Sequence, residues 1–173
     1  MDFKELLAYQ KAFMLAMEIF EVSKTFPKDE KCALTDQIRR SSRSVSANIA
    51  EAYRKRRYVN HFISKLTDSD AENSETNVWL EFALQCDYID TQKFKTLNEK
   101  NIEIGKLINY MINNPVKFGC LESNWKLWLR LLTFIKFQKH LSGGKRRNFI
   151  VLHRFFIFFQ QLLNLRMVVE VLF

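Results

Sequence analysis

The stretch LTDQIRRSSRSVSANIAEAYRKRR, residues 34–57, contains neither glycine nor proline and carries Leu34, Ile38, Val45, Ile49 and Ala52 at helical spacing. That spacing places all five on one face of a helix, so the segment is predicted as an amphipathic helix ending near Arg57. Its serines, Ser41, Ser42, Ser44 and Ser46, have only middling helix propensity. Small side chains permit close approach, and the expectation is a contact strip for a neighbouring helix, with another subunit as one source of that helix. The alternative is a solvated serine run.

Working outward, Phe3, Leu6, Leu7, Phe13, Met14, Met17 and Phe20 recur at three- and four-residue steps and predict a first helix from about Phe3 to Lys24, its apolar face inward. Pro27 stops it, and Asp29 is placed to cap the helix that follows. A third helix is expected from Asn60 to Cys86, with Phe62, Leu66, Trp79, Leu80 and Ala83 inward and Ser69, Asn73 and Thr76 interrupting the stripe. After a turn at Asp87–Asp90, the residues Phe94, Leu97, Ile104, Leu107, Ile108 and Met111 define a fourth helix, closed at Asn113-Asn114-Pro115. Glycine and proline total only six, four and two, which favours long helices over hairpins. The fold class is all-α, an antiparallel up-down-up-down four-helix bundle over residues 1–118.

Three motifs carry a family resemblance: Phe26-Pro27-x-x-Glu30, Leu34-x-x-Gln37-Ile38-Arg39-Arg40 and Ser44-Val45-x-x-Asn48-Ile49-Ala50-Glu51-Ala52. Phe62, Asp68-Ser69-Asp70-Ala71-Glu72, Trp79-Leu80-Glu81-Phe82-Ala83 and Tyr88-Ile89 agree as well. The chain resembles the four-helix bundle proteins encoded within 23S ribosomal RNA intervening sequences, over about residues 1–118. That family is similar to the accessory variability determinant of diversity-generating retroelements, a barrel-shaped pentamer with a basic surface. The resemblance implies a homo-oligomer, a homopentamer, and makes RNA and a reverse transcriptase or other protein candidate partners. Ala52 departs from the glycine that many relatives have there, and its Cβ favours a continuous helix.

Net charge is +8, but residues 1–118 hold 18 Lys/Arg against 17 Asp/Glu, a net of +1, while residues 119–173 hold 9 against 2, a net of +7. Any polyanion site on the bundle must therefore be local. Two clusters qualify as nucleic-acid-binding candidates. Arg39, Arg40 and Arg43 lie within one helical turn or so, so that at least two share a face and can bridge phosphates. Arg54, Lys55, Arg56 and Arg57 form a run at the helix end, flanked by Tyr53 and Tyr58, which suit stacking on unpaired bases.

An ion-pair reading competes with this. In an antiparallel pair turning near residues 57–59, facing positions of the second and third helices sum to roughly 116. Arg43 then faces Asn73 and Arg40 faces Thr76, with Glu72 and Glu75 beside them and Asp68 and Asp70 a turn away. Intramolecular or intersubunit pairs would consume the first cluster.

Catalysis has little support. His61, His140 and His153 are dispersed, Gly105, Gly119, Gly143 and Gly144 form no phosphate loop, and Asp68-x-Asp70-x-Glu72 lacks the glycine and glutamate of a calcium loop. The expectation is no enzyme, no metal and no cofactor. Cys32, Cys86 and Cys120 are odd in number and widely spaced, which suits buried thiols in a reducing compartment. Acids in MDFKELLAYQ argue against export, so a cytoplasmic protein is expected.

Residues 119–173 form a basic, aromatic-rich tail outside the family pattern. They encode either two further helices at about 125–140 and 148–169, parted by Ser142-Gly143-Gly144, or a non-native or disordered extension of the kind produced when a reading frame runs into AT-rich noncoding sequence. The run Phe155-Phe156-Ile157-Phe158-Phe159 is too short to span a membrane, with Arg154, Gln160 and Arg166 interrupting it; lying on an anionic membrane surface is the remaining membrane reading.

Overall fold

The computed structural model describes residues 2–120, so the two tail helices and the question of the tail's nativeness fall outside the described residues. Four long helices account for most of the rest: α1 (Leu7–Val22), α2 (Leu34–Lys55), α3 (Val59–Gln85) and α4 (Thr91–Asn113), with short 3-10 turns at Phe3–Glu5, Ser23–Thr25, Lys28–Glu30 and Pro115–Phe118. No strand occurs among the described residues. Helix α2 packs against α1 and α3, and α4 packs against the same two from the other side, so α1 and α3 occupy diagonal corners of an antiparallel bundle.

Local chemistry sets the ends. Asp2 starts the Phe3–Glu5 turn with a capping box, its carboxylate accepting from the Phe3 N–H at 2.7 Å while Glu5 accepts from the Asp2 N–H at 2.9 Å. The start of α2 is served by Glu30, not Asp29: Glu30 Oε2 accepts from the Leu34 N–H at 3.2 Å, and Asp29 stays in the preceding 3-10 turn. Asp90 caps α4 by accepting from the Lys93 N–H at 2.7 Å. Between α3 and α4 the chain turns through Asp87 at φ 57°, a left-handed conformation that aspartate tolerates better than most side chains.

The core is built from Leu34, Ile38, Val45, Ile49 and Ala52 of α2, Phe62, Leu66, Leu80 and Ala83 of α3, and Leu97, Ile104, Ile108 and Met111 of α4, all buried. Trp79 is only half-buried, at the edge of this core. Helix α1 corrects the sequence reading most. Leu6 is buried, but Leu7, Phe13, Met14 and Met17 are exposed, and the face turned inward is Ala8, Ala12, Leu15, Ala16 and Ile19. The helix carries two apolar stripes, and the core takes the one rich in alanine because small side chains let α1 lie close to α2 and α4. Leu6, with an extended backbone, also breaks the phase that joined Phe3 to the rest.

A polar layer crosses the middle of the bundle. Ser41, Ser42, Ser69, Asn73, Thr76 and Asn101 are all buried. Thr76 Oγ1 donates to Ser41 Oγ at 3.0 Å, Ser69 Oγ donates to the Val45 carbonyl at 2.9 Å, and Asn73 and Asn101 exchange side-chain-to-backbone bonds at 3.1 and 3.0 Å. Within the strip Ser41 contacts α3, as expected of a strip that faces a neighbouring helix, Ser42 and Ser46 are buried, and Ser44 is half-buried. Opposite Asn73, Gly105 lets α4 approach: a Cβ there would sit 3.2 Å from Asn73 Nδ2.

Cys120 is buried while Cys32 and Cys86 are exposed, which corrects the expectation of three buried thiols. Cys32 lies in the turn before α2 and Cys86 at the end of α3, where the chain leaves the core.

Candidate nucleic-acid interface

Helix α2 distributes its cations over different neighbours. Arg39 and Arg43, one turn apart, both point to α1: their guanidinium carbons lie 4.9 and 5.5 Å from the centroid of the Phe20 ring, and Lys24 Nζ lies 4.7 Å from it. Arg39 Nε also donates to Ser23 Oγ at 2.7 Å. Arg40 is exposed on the side toward α3, where its charge acts on Glu72. The expected register holds, since Thr76 meets Ser41 and Ser69 meets Val45, but those core residues occupy the facing positions and Arg43 turns to α1 instead of Asn73. Among the described residues no carboxylate lies within ion-pair distance of Arg39, Arg40 or Arg43.

The run at the end of α2 is equally divided. Arg54 is exposed, its guanidinium 5.6 Å from the Phe3 ring and 3.8 Å from Asp2 Oδ1. Lys55 pairs with Glu51 at 2.7 Å, and Lys65 of α3 reaches the same carboxylate at 3.2 Å. Hydrogen bonds from these two lysines hold the Glu51 carboxyl below its ordinary range. Arg56 turns inward: it lies 4.0 Å over the Tyr53 ring and donates to the Tyr53 carbonyl at 2.6 Å. Gly119, at φ 87°, passes close beside it, so that a Cβ would stand 3.5 Å from Arg56 Nε. Arg57 and Tyr58 are exposed at the turn into α3, with the Tyr58 ring edge-on to His61 at 5.8 Å.

Tyr53 is 4% exposed, so of the two flanking tyrosines only Tyr58 presents a ring to solvent. The surface left at this end comprises Arg54, Lys55, Arg57 and Tyr58. The partner chemistry at the opposite end is structural: Tyr88 Oη donates to Glu30 Oε1 at 3.2 Å and its ring meets Phe26 at 5.5 Å, which ties the α1–α2 connection to the α3–α4 turn. Burial, reinforced by that bond to Glu30, pushes the Tyr88 hydroxyl up.

Among the described residues no three His, Cys, Asp or Glu side chains are placed to hold a metal ion. None of the described helices is long and apolar enough to cross a membrane.

The class defined by this geometry is a four-helix bundle with a locally basic second helix. The chain belongs to the 23S rRNA-intervening sequence protein family, whose model matches residues 4–110. A solved structure of a protein of unknown function from the S23 ribosomal protein family, from Bacteroides thetaiotaomicron VPI-5482, is similar to it, with 30% identity and a TM-score of 0.57. The match covers 62% of this chain and 96% of that one. No match was found among curated proteins.

Proposed function

We propose that this protein is a non-catalytic, self-associating cytoplasmic bundle that binds RNA at the α2–α3 end, through Arg54, Lys55 and Arg57, with Tyr58 stacking on an unpaired base. The observation that supports this reading is the exposure of Arg54, Arg57 and Tyr58 together at one turn, with no carboxylate near Arg57 among the described residues. Guanidinium groups at that spacing suit successive phosphates, and an exposed tyrosine adds sequence-tolerant stacking. Family membership is consistent with an RNA context, and the pentameric state comes from the resemblance described above. Arg39 and Arg43 belong to a second face toward α1, Arg40 stands on the side toward α3, and Arg56 supports the turn from inside.

Filter binding of a single-stranded RNA to the full chain tests the site. Reversing Arg54, Lys55 and Arg57 to glutamate is expected to abolish retention at low salt; retention equal to the unaltered protein would reject it.

A second reading, a protein scaffold beside a reverse transcriptase or another partner with no RNA contact, is favoured by the exposed apolar side chains of α1 and α3. Nuclease-resistant copurification of one protein, with an absorbance ratio free of nucleic acid, would support it.

A further inference from the structure

Two faces at diagonal corners of the bundle each lack what the other has. On α1, Phe13 and Met17 are 51% and 46% exposed, and Phe20 beside them is ringed by Lys24, Arg39 and Arg43. On α3, Val78 and Phe82 are 46% and 50% exposed, and Trp79 packs against Phe82 with ring centroids 5.7 Å apart. The charge around the second patch is of opposite sign. Helix α3 holds Asp68, Asp70, Glu72, Glu75 and Glu81 against a single Lys65, whereas α2 holds Arg39, Arg40, Arg43, Arg54 and Lys55 against Asp36 and Glu51.

Arg54 and Lys55 pair with Asp2 and Glu51 within the chain, but Arg39, Arg40 and Arg43 have no ion-pair partner among the described residues. Lys65 bridges Asp68 and Glu51, but among the described residues no cation pairs with Glu72, Glu75 or Glu81, and none of the acids pairs with Arg39 or Arg43. Glu75 accepts from Trp79 Nε1 at 2.9 Å and is exposed. Spacing agrees as well: Phe13 to Phe20 and Glu75 to Phe82 are both seven residues, about 10 Å of helix, so aromatic and charge meet aromatic and charge in one register. Because α1 and α3 are diagonal, one molecule cannot join the two faces.

We infer that the occupant of each face is a second copy of this chain: the apolar, arginine-rimmed face of α1 and α2 receives the apolar, acid-rimmed face of α3 from a neighbour. The contact is heterologous, so an open row of copies keeps one free face at each end until a ring closes. Electrostatic complementarity fixes the partner and register, and the buried aromatics supply the affinity. This rests on the self-association proposed above, and it adds which surfaces meet.

Sedimentation velocity of the full-length protein tests it, with circular dichroism to confirm helix content. Phe13→Glu with Met17→Glu on one face, or Val78→Glu with Phe82→Glu on the other, is expected to give monomers. Mixed one to one, the two variants should form a dimer, because each keeps the face that the other has lost. A third variant covers loss by misfolding: Arg39→Glu with Arg43→Glu should dissociate, and adding Glu72→Arg with Glu75→Arg should restore the assembly. Unaltered protein that is monomeric at every concentration would overturn self-association itself. An assembly unmoved by these variants, or monomeric variants that fail to dimerise when mixed, would overturn the pairing of faces and leave self-association standing.

Discussion

Arg56 and Arg57 are neighbours in a run of four cations, yet their environments differ completely. Arg56 spends its guanidinium on the Tyr53 ring and carbonyl; Arg57 is exposed. Arg56→Ala is expected to lower unfolding stability by roughly 1–2 kcal/mol, the usual worth of such a stacked, hydrogen-bonded cation, and Arg57→Ala to leave it within about 0.5 kcal/mol. Urea denaturation distinguishes them. In the core, Asn101→Ala removes the side-chain donor to the Asn73 carbonyl and keeps the Asn101 backbone carbonyl that accepts from Asn73. Losing that buried bond, with the carbonyl still accepting along its own helix, should cost about 0.5–1.5 kcal/mol, again by urea denaturation. The sequence reading placed Asn73 in the stripe but not Asn101, because a lone asparagine between Lys100 and Ile102 looks like any surface residue until the helix opposite is known.

At the scale of the element, α1 shows where periodicity runs short of information. Large apolar residues occupy one stripe and alanines another, and hydrophobicity alone favours the larger side chains for the core. What decides is the space available between α2 and α4, which no single helix contains. Ala12→Leu, which overfills the buried stripe, should cost about 1–3 kcal/mol, while Met14→Ala on the outer stripe should change stability by less than about 0.5 kcal/mol; thermal or urea unfolding reads both. Helices α2, α3 and α4 were legible because the stripe of large aliphatic side chains read from each is the one the core takes, although α3 also exposes Val78 and Phe82, and the expected pairing register of α2 with α3 agrees with the Ser41–Thr76 bond.

Along α3, burial, then the charge of Glu75, with a smaller push from Asp68 and a partial offset by Arg40, raise the Glu72 carboxyl above its ordinary value. The native state therefore keeps that proton to higher pH than the unfolded chain does, and stability falls as pH rises between the unfolded and native values. In the monomeric Phe13→Glu, Met17→Glu background, where no neighbour's cations intervene, Glu72→Gln should be more stable above that window. The gain should vanish below the unfolded carboxylate range, as followed by urea unfolding against pH.

For the whole molecule, the bundle and its family were readable because the motifs fall where the structure needs them: Phe26 and Glu30 meet Tyr88 across the loop end, and Ile38, Val45 and Ile49 sit in the core. Which cations serve which partner was not readable, since that depends on what each guanidinium meets on another helix. The central claim is a division of labour along α2, with Arg39 and Arg43 turned to a neighbouring copy and Arg54, Lys55 and Arg57 turned to RNA. Its most direct test is the salt dependence of binding to an RNA oligomer short enough to occupy one subunit. Replacing Arg54, Lys55 and Arg57 by alanine should reduce the slope of log affinity against log salt by about 2, as three phosphate contacts on a single strand require, and replacing Arg39 and Arg43 should leave it unchanged. A slope that falls as far with the second pair as with the first three would contradict the account.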